Sequence, residues 1–152
     1  MVKIVKVDSW GRTMTEQETI EFLRKPLLMR VAMIDQDGYP MVHPMWFIYE
    51  NGKFLLATNR NGTKAKLLQK NAKVYFTIDT VTKETGPWGV RGRGRGRVIN
   101  DAKYAEEVTK KQLIRYIGSL EGSVAKQLLD EAKSDTVVIE ITPSFLGTWR
   151  HR

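Results

Sequence analysis

The stretch GVRGRGRGRVI, residues 89–99, decides how this chain of 152 residues is read. Arg91, Arg93, Arg95 and Arg97 alternate in it with glycines. Such alternation has two physical meanings. In a disordered tail it offers flexible cations to nucleic acid, and tails of that kind lie in long polar tracts. In a β-strand, successive side chains point to opposite faces, so the arginines line one side and the glycines leave the other free for close packing. Here Trp88 and Val90 come before, Val98 and Ile99 come after, and a helical pattern opens at Asp101. Those boundaries favour a strand. Most of its arginines then belong to a solvated or ion-paired face, with one or two free to meet an anionic ligand or a partner subunit through the bidentate guanidinium fork.

Composition agrees with a folded chain. A hydrophobic fraction of 41% and a charged fraction of 28% are those of a globular protein, and 152 residues suit a single domain over 1–152. Lys and Arg exceed Asp and Glu by 25 − 17 = +8, a field that attracts anions without choosing among them. The absence of cysteine excludes disulfides, thiolate metal sites and cysteine nucleophiles. With His43 and His151 as the only histidines, no metal site is expected. The amino-terminal MVKIVKVDSWGR lacks the apolar run of a signal peptide, and no stretch is long and apolar enough to span a membrane. The cytoplasm is the expected address.

Outward from the arginines, the chain reads as strands with a few helices. TMTEQETIEFLRKP predicts a helix capped by Thr15, with Glu18 completing a capping box and Ile20 and Leu23 on its buried side. The apolar runs LLMRVAMID and PMVHPMWFIYE flank Asp37-Gly38, a hairpin signal, and Asn51-Gly52 turns into KFLLAT. Three strands in an antiparallel meander are expected. Next come a short helix bearing Ala65, Leu67 and Leu68 and stopping at Asn71, then the strand KVYFTIDTV and the loop TKETGPWG. A helical region over 101–133 breaks near Gly118 or Gly122, and VVIEITP is a further strand. The order predicts a mainly β fold: a closed or half-closed antiparallel barrel, Greek-key-like, with helices packed outside.

ATNRNGTKAKLL, residues 57–68, carries the most chemistry. A strand end, a polar glycine-containing loop and a helix start bring together backbone N–H groups, the Thr63 hydroxyl, and the Arg60, Lys64 and Lys66 cations. These are the parts of a phosphate cradle. The Walker spacing is absent, and an ordinary capped turn with surface lysines is the competing reading.

Asp37-Gly38-Tyr39-Pro40, Pro44-Met45-Trp46-Phe47, Thr58-Asn59 and Thr63-Lys64, in this order and spacing, resemble the FMN-binding split-barrel family related to pyridoxamine 5′-phosphate oxidase. VRGRGRGRV and VVIEITPSFLGTW are similar to its penultimate and closing strands, so the resemblance runs from Thr15 to Trp149. It implies a split β-barrel homodimer that binds FMN at the subunit interface and acts as an oxidoreductase on a small substrate. Thr58, Asn59, Arg60, Thr63 and Lys64 would hold the flavin phosphate. His43, Pro44, Met45 and Trp46 would lie along the ring, with backbone groups at its pyrimidine edge, and the second subunit would contribute Trp88 and Arg91. The family also includes proteins that bind deazaflavin or haem, which makes a carrier of either the alternative. The oxidase's carboxyl-terminal substrate motif is not matched in TWRHR, so pyridoxamine phosphate oxidation is not the favoured activity. No catalytic residue is assigned, because flavin chemistry needs no acid–base pair from the protein. A nucleic-acid-binding barrel is the weaker rival, since no aromatic residues interleave with the arginines for base stacking.

For single residues two readings stand side by side. His43 is either a histidine satisfied inside the barrel or a contact to the flavin edge. Trp46 is core or cofactor wall, Trp88 serves an interface or a substrate, and Trp149 packs on the barrel or on a partner.

Overall fold

The computed structural model describes residues 2–7 and 11–151; residues 1, 8–10 and 152, which belong to the charged amino-terminal stretch and to TWRHR, lie outside it. In chain order the elements are β1 (Ile4–Lys6), α1 (Glu16–Leu23), β2 (Met29–Ile34), β3 (Pro40–Met45), β4 (Ile48–Glu50), β5 (Lys53–Asn59), α2 (Thr63–Lys70), β6 (Lys73–Thr82), β7 (Gly86–Ile99), α3 (Ala102–Tyr116), α4 (Ser123–Ser134) and β8 (Thr136–Arg150). Local chemistry accounts for most boundaries. The Thr15 hydroxyl accepts from Glu18 N–H while the Glu18 carboxylate accepts from Thr15 N–H, the reciprocal box expected of α1. Asn71 stops α2, and Gly118 and Gly122, at φ 83° and 97°, both act in separating α3 from α4.

The arginine–glycine stretch is a strand. β7 lies between β6 and β8, with Arg91, Arg93, Arg95 and Arg97 all exposed and Gly92 and Gly96 buried. Its glycines are needed for close approach. A Cβ on Gly94 would stand 2.1 Å from the Thr142 carbonyl oxygen, and one on Gly92 would stand 2.5 Å from the Phe145 oxygen. Of TKETGPWG only residues 83–85 are loop, because β6 includes Thr82 and β7 already includes Gly86, Pro87, Trp88 and Gly89.

The expected barrel does not form. The strands make one sheet in the order β3-β2-β6-β7-β8-β5-β4, antiparallel throughout except that β1 adds in parallel to β8, and no pairing joins β3 to β4. Both the split-barrel reading and the three-strand meander are corrected by one event. PMVHPMWFIYE breaks at Trp46-Phe47 into β3 and β4, and these halves occupy opposite edges of the sheet. The physical reason lies in β3 and in what holds the break. Pro40 and Pro44, four residues apart, offer no N–H, so β3 cannot donate fully to a neighbour on each side. At the break, Phe47 N–H donates to the Tyr116 hydroxyl at 3.1 Å and the Gln112 side chain donates to Trp46 O at 3.4 Å. VVIEITP extends into a single 15-residue strand, β8, with a bulge opposite Arg93-Gly94.

The main core gathers Phe22, Phe47, Phe54, Phe76, Ile78 and Ile141 with their neighbours. A second cluster, Ile48, Leu55 and Val138 against Ala105 and Val108, seats α3 on the β4–β5–β8 end of the sheet. The Tyr104 hydroxyl donates to Glu140 at 2.6 Å and anchors the start of that helix; burial and this bond push its pKa up, so it stays a donor. No helix among the described residues is long and apolar enough to cross a membrane.

Candidate functional site

A cavity of about 360 Å³ lies where the unpaired edge of β3 approaches the end of β5, the start of α2, and helices α3 and α4. The failure to close the sheet and the cavity are thus linked: the break at Trp46 leaves the β3 edge free beside it. His43, Pro44, Met45 and Trp46 line one side, and Thr58, Asn59 and Lys64 line another. Seven residues named from the sequence are brought together. His43 is exposed on the edge strand rather than enclosed in a barrel, and Trp46 is half-buried, its ring stacked on Tyr116 at 4.9 Å and 7°.

The loop entering α2 is closed by its own bonds. Asn61 N–H donates to the Asn59 side chain at 2.8 Å, Gly62 N–H to Asn59 O at 3.1 Å, and Arg60 N–H to Asp135 O at 2.7 Å. Gly62 then begins the helix with no side-chain cap. The first N–H groups of α2 therefore carry their partial positive charge toward whatever sits there. Lys64 is half-buried on the cavity wall, and among the described residues no carboxylate pairs with it. Burial pulls its pKa below the ordinary lysine value. A cation in that condition gains from an anionic ligand.

Four residues named from the sequence are not part of this wall. Arg60 and Thr63 are exposed in the adjoining loop and helix start. Arg91 stands on the exposed face of β7. Trp88 is only 7% exposed; its ring packs against Phe22 at 4.7 Å, with the Lys25 ammonium and the Arg150 guanidinium at 5.3 and 4.9 Å from its centre. A buried indole of this kind has no face to offer a partner or a substrate. Trp149, half-buried, packs close to Gly89 within its own chain.

Sequence reasoning missed the helical half of the wall: Thr109 and Gln112 of α3, and Leu128 and Glu131 of α4. For α3 the signal appears only once the helix is packed. Thr109 and Gln112 fall within the stripe Ala105, Val108, Thr109, Gln112, Leu113, where polar residues on a buried helix face need an explanation.

The family follows from comparison. The profile of the pyridoxamine 5′-phosphate oxidase family matches residues 15–150, so the chain belongs to that family. No curated protein matches it. Among solved structures, the conserved hypothetical protein Rv2991 from Mycobacterium tuberculosis is similar at a TM-score of 0.81 and 24% identity, covering 97% of this chain and 91% of that one. A putative 5-nitroimidazole antibiotic resistance protein from Bacteroides thetaiotaomicron superposes at 0.70 with 22% identity over 88% and 82% of the two chains. An F420 reductase superposes at 0.67 with 22% identity over 84% and 94%. At these identities the likeness is one of fold.

Proposed function

We infer that the chain binds FMN in this cavity and acts as an FMN-dependent oxidoreductase on a small substrate. One observation carries the reading: an unpaired, half-buried Lys64 beside an uncapped helix start, in the cavity that Thr58, Asn59 and the β3 edge also line. This donor set fits a phosphate, which takes backbone N–H groups and a lysine as point charge. Lys64, Thr63 and the first N–H groups of α2 would hold the phosphate with Thr58 and Asn59, and Arg60 would reach it from the loop. His43 to Trp46 would lie along the ring, with free backbone groups of the β3 edge at its rim. Bound FMN supplies electron transfer; the protein's part is to bind it, orient it and exclude water. The second reading is a deazaflavin in the same place, favoured by the likeness to an F420 reductase and served by the same phosphate contacts.

A homodimer belongs to this proposal. The face of β7 and its neighbours carries Arg91, Arg93 and Arg95 with Tyr75 and Val42 exposed beside them, a surface that a second copy would cover while extending Arg91 toward the bound flavin. Sedimentation at micromolar concentration is expected to give a dimer. An absorbance spectrum over roughly 350–500 nm, before and after adding FMN and removing the excess, tests the cofactor. Retained flavin bands are expected. A protein that emerges colourless from FMN, or that takes up only haem, contradicts the reading.

A further inference from the structure

The helical wall of the cavity holds two polar side chains, each with an oxygen that has no partner among the described residues. Thr109 and Gln112, 6% and 4% exposed, sit one turn apart on α3 and both line the cavity. The Gln112 amide nitrogen donates to Leu55 O at 3.3 Å and to Trp46 O at 3.4 Å, so both of its hydrogens are committed and the amide is fixed in one orientation. What remains is the Gln112 carbonyl oxygen, an acceptor. Among the described residues neither it nor the Thr109 hydroxyl has a hydrogen-bond partner, and neither is sealed from the cavity. Both atoms face the cavity, so they are open to water when it is empty and offer an acceptor and a hydroxyl to a ligand that fills it.

The geometry points to Thr109 and Gln112 as the reader of a ring edge in which an N–H stands beside a carbonyl. Gln112 accepts from the N–H, and the Thr109 hydroxyl donates to the neighbouring carbonyl. Residues three apart on a helix lie close enough to serve one small edge together. This rests on the proposed flavin reading and deepens it. The pyrimidine edge of a flavin, where an imide N–H lies between two carbonyls, has the required pattern. A deazaflavin carries the same edge; the rim of a haem offers methyl, vinyl and carboxylate groups and no such N–H. The pair would work beside the backbone of β3, fixing the ring's direction in the cavity with side chains from a different element. Gln112 has a second role here, because its bond to Trp46 O ties the ring-reading group to the break that opens the cavity.

The test is a fluorescence titration with FMN and with FMN methylated at the imide nitrogen, which keeps the phosphate and loses the N–H. Wild type is expected to prefer FMN by about tenfold or more, since methylation leaves a buried acceptor unpaired. Thr109→Val, nearly isosteric, should weaken FMN by about fivefold, and Thr109→Ser should restore it. Gln112→Met should bind FMN and its methyl derivative alike; if it does not fold, the two ligands on wild type still decide. Equal affinity of wild type for both ligands overturns this assignment while leaving FMN binding in place. No binding of either ligand overturns the flavin reading and this inference with it.

Discussion

The exposed face of β7 and the cavity beside β3 both present positive charge, and they differ in what surrounds it. On β7, Arg91, Arg93 and Arg95 stand in water without a carboxylate partner among the described residues, while Arg97 reaches Glu140 at 3.4 Å. In the cavity a single lysine is half-buried beside uncapped N–H groups. The count favours β7, but the physics of binding favours the cavity. Exposed cations lose most of their attraction to screening, whereas a partly desolvated cation among converging donors keeps it. Enclosure outweighs number. The two regions also differ in what holds them, since the arginines depend on the glycines behind them and the cavity depends on a break in a strand.

The largest expected effect lies behind the arginines. Gly94→Val puts a side chain where the Thr142 oxygen is 2.1 Å from the first carbon, so β7 and β8 must part. A loss of about 3 kcal/mol or more is expected, a fall in melting temperature on the order of 10 °C. A variant that melts like wild type would break the account of β7.

A smaller effect tests how α1 is pinned to the sheet end. The Glu18 carboxylate accepts from Arg12 at 2.7 and 3.0 Å and from Arg150 at 3.1 Å. Its hydrogen bonds to Arg12, with Thr15 N–H adding, outweigh burial and hold its pKa down at about 2. The folded value lies below the unfolded one of about 4.3. The contribution is therefore complete above that unfolded value and lost as pH falls toward 2. Thermal melts between pH 6 and 2 should show Glu18→Gln losing less stability on acidification than wild type. Parallel losses would contradict the pairing.

The smallest effect is on the arginine row itself. Arg95→Ala should change stability by no more than about 0.5 kcal/mol unless Arg95 meets the second subunit of the proposed dimer, since within one chain it is an exposed charge. If it instead lowers affinity for a short single-stranded oligonucleotide and flattens the salt dependence by about one unit, the row is a nucleic-acid surface.

Much of this was legible in the sequence, for local reasons. Alternation with bounding apolar residues marks β7, the Thr15–Glu18 box marks α1, and the TNRNGTK segment contributes Thr58, Asn59 and Lys64 to one wall. The break at Trp46-Phe47 was not legible, because PMVHPMWFIYE is largely apolar with no turn signal at Trp46-Phe47, and the atoms that hold the bend lie on Tyr116 and Gln112, far along the chain. From that one miss follow the barrel that does not close and the meander that does not form. Trp88 was misjudged because GPWG carries turn signals, while Phe22, Lys25 and Arg150, which enclose its ring, come from elsewhere in the chain. Thr109 and Gln112 look like ordinary polar helix residues until the packing of α3 shows them buried.

The proposed contact of Lys64 with a flavin phosphate is measured by titrating wild type and Lys64→Ala with FMN and with riboflavin, which lacks the phosphate, and following flavin fluorescence. Loss of a charge-assisted hydrogen bond should weaken FMN by about 1.5–3 kcal/mol, while riboflavin binds both proteins almost alike. An equal loss for both ligands, or none for FMN, would contradict it.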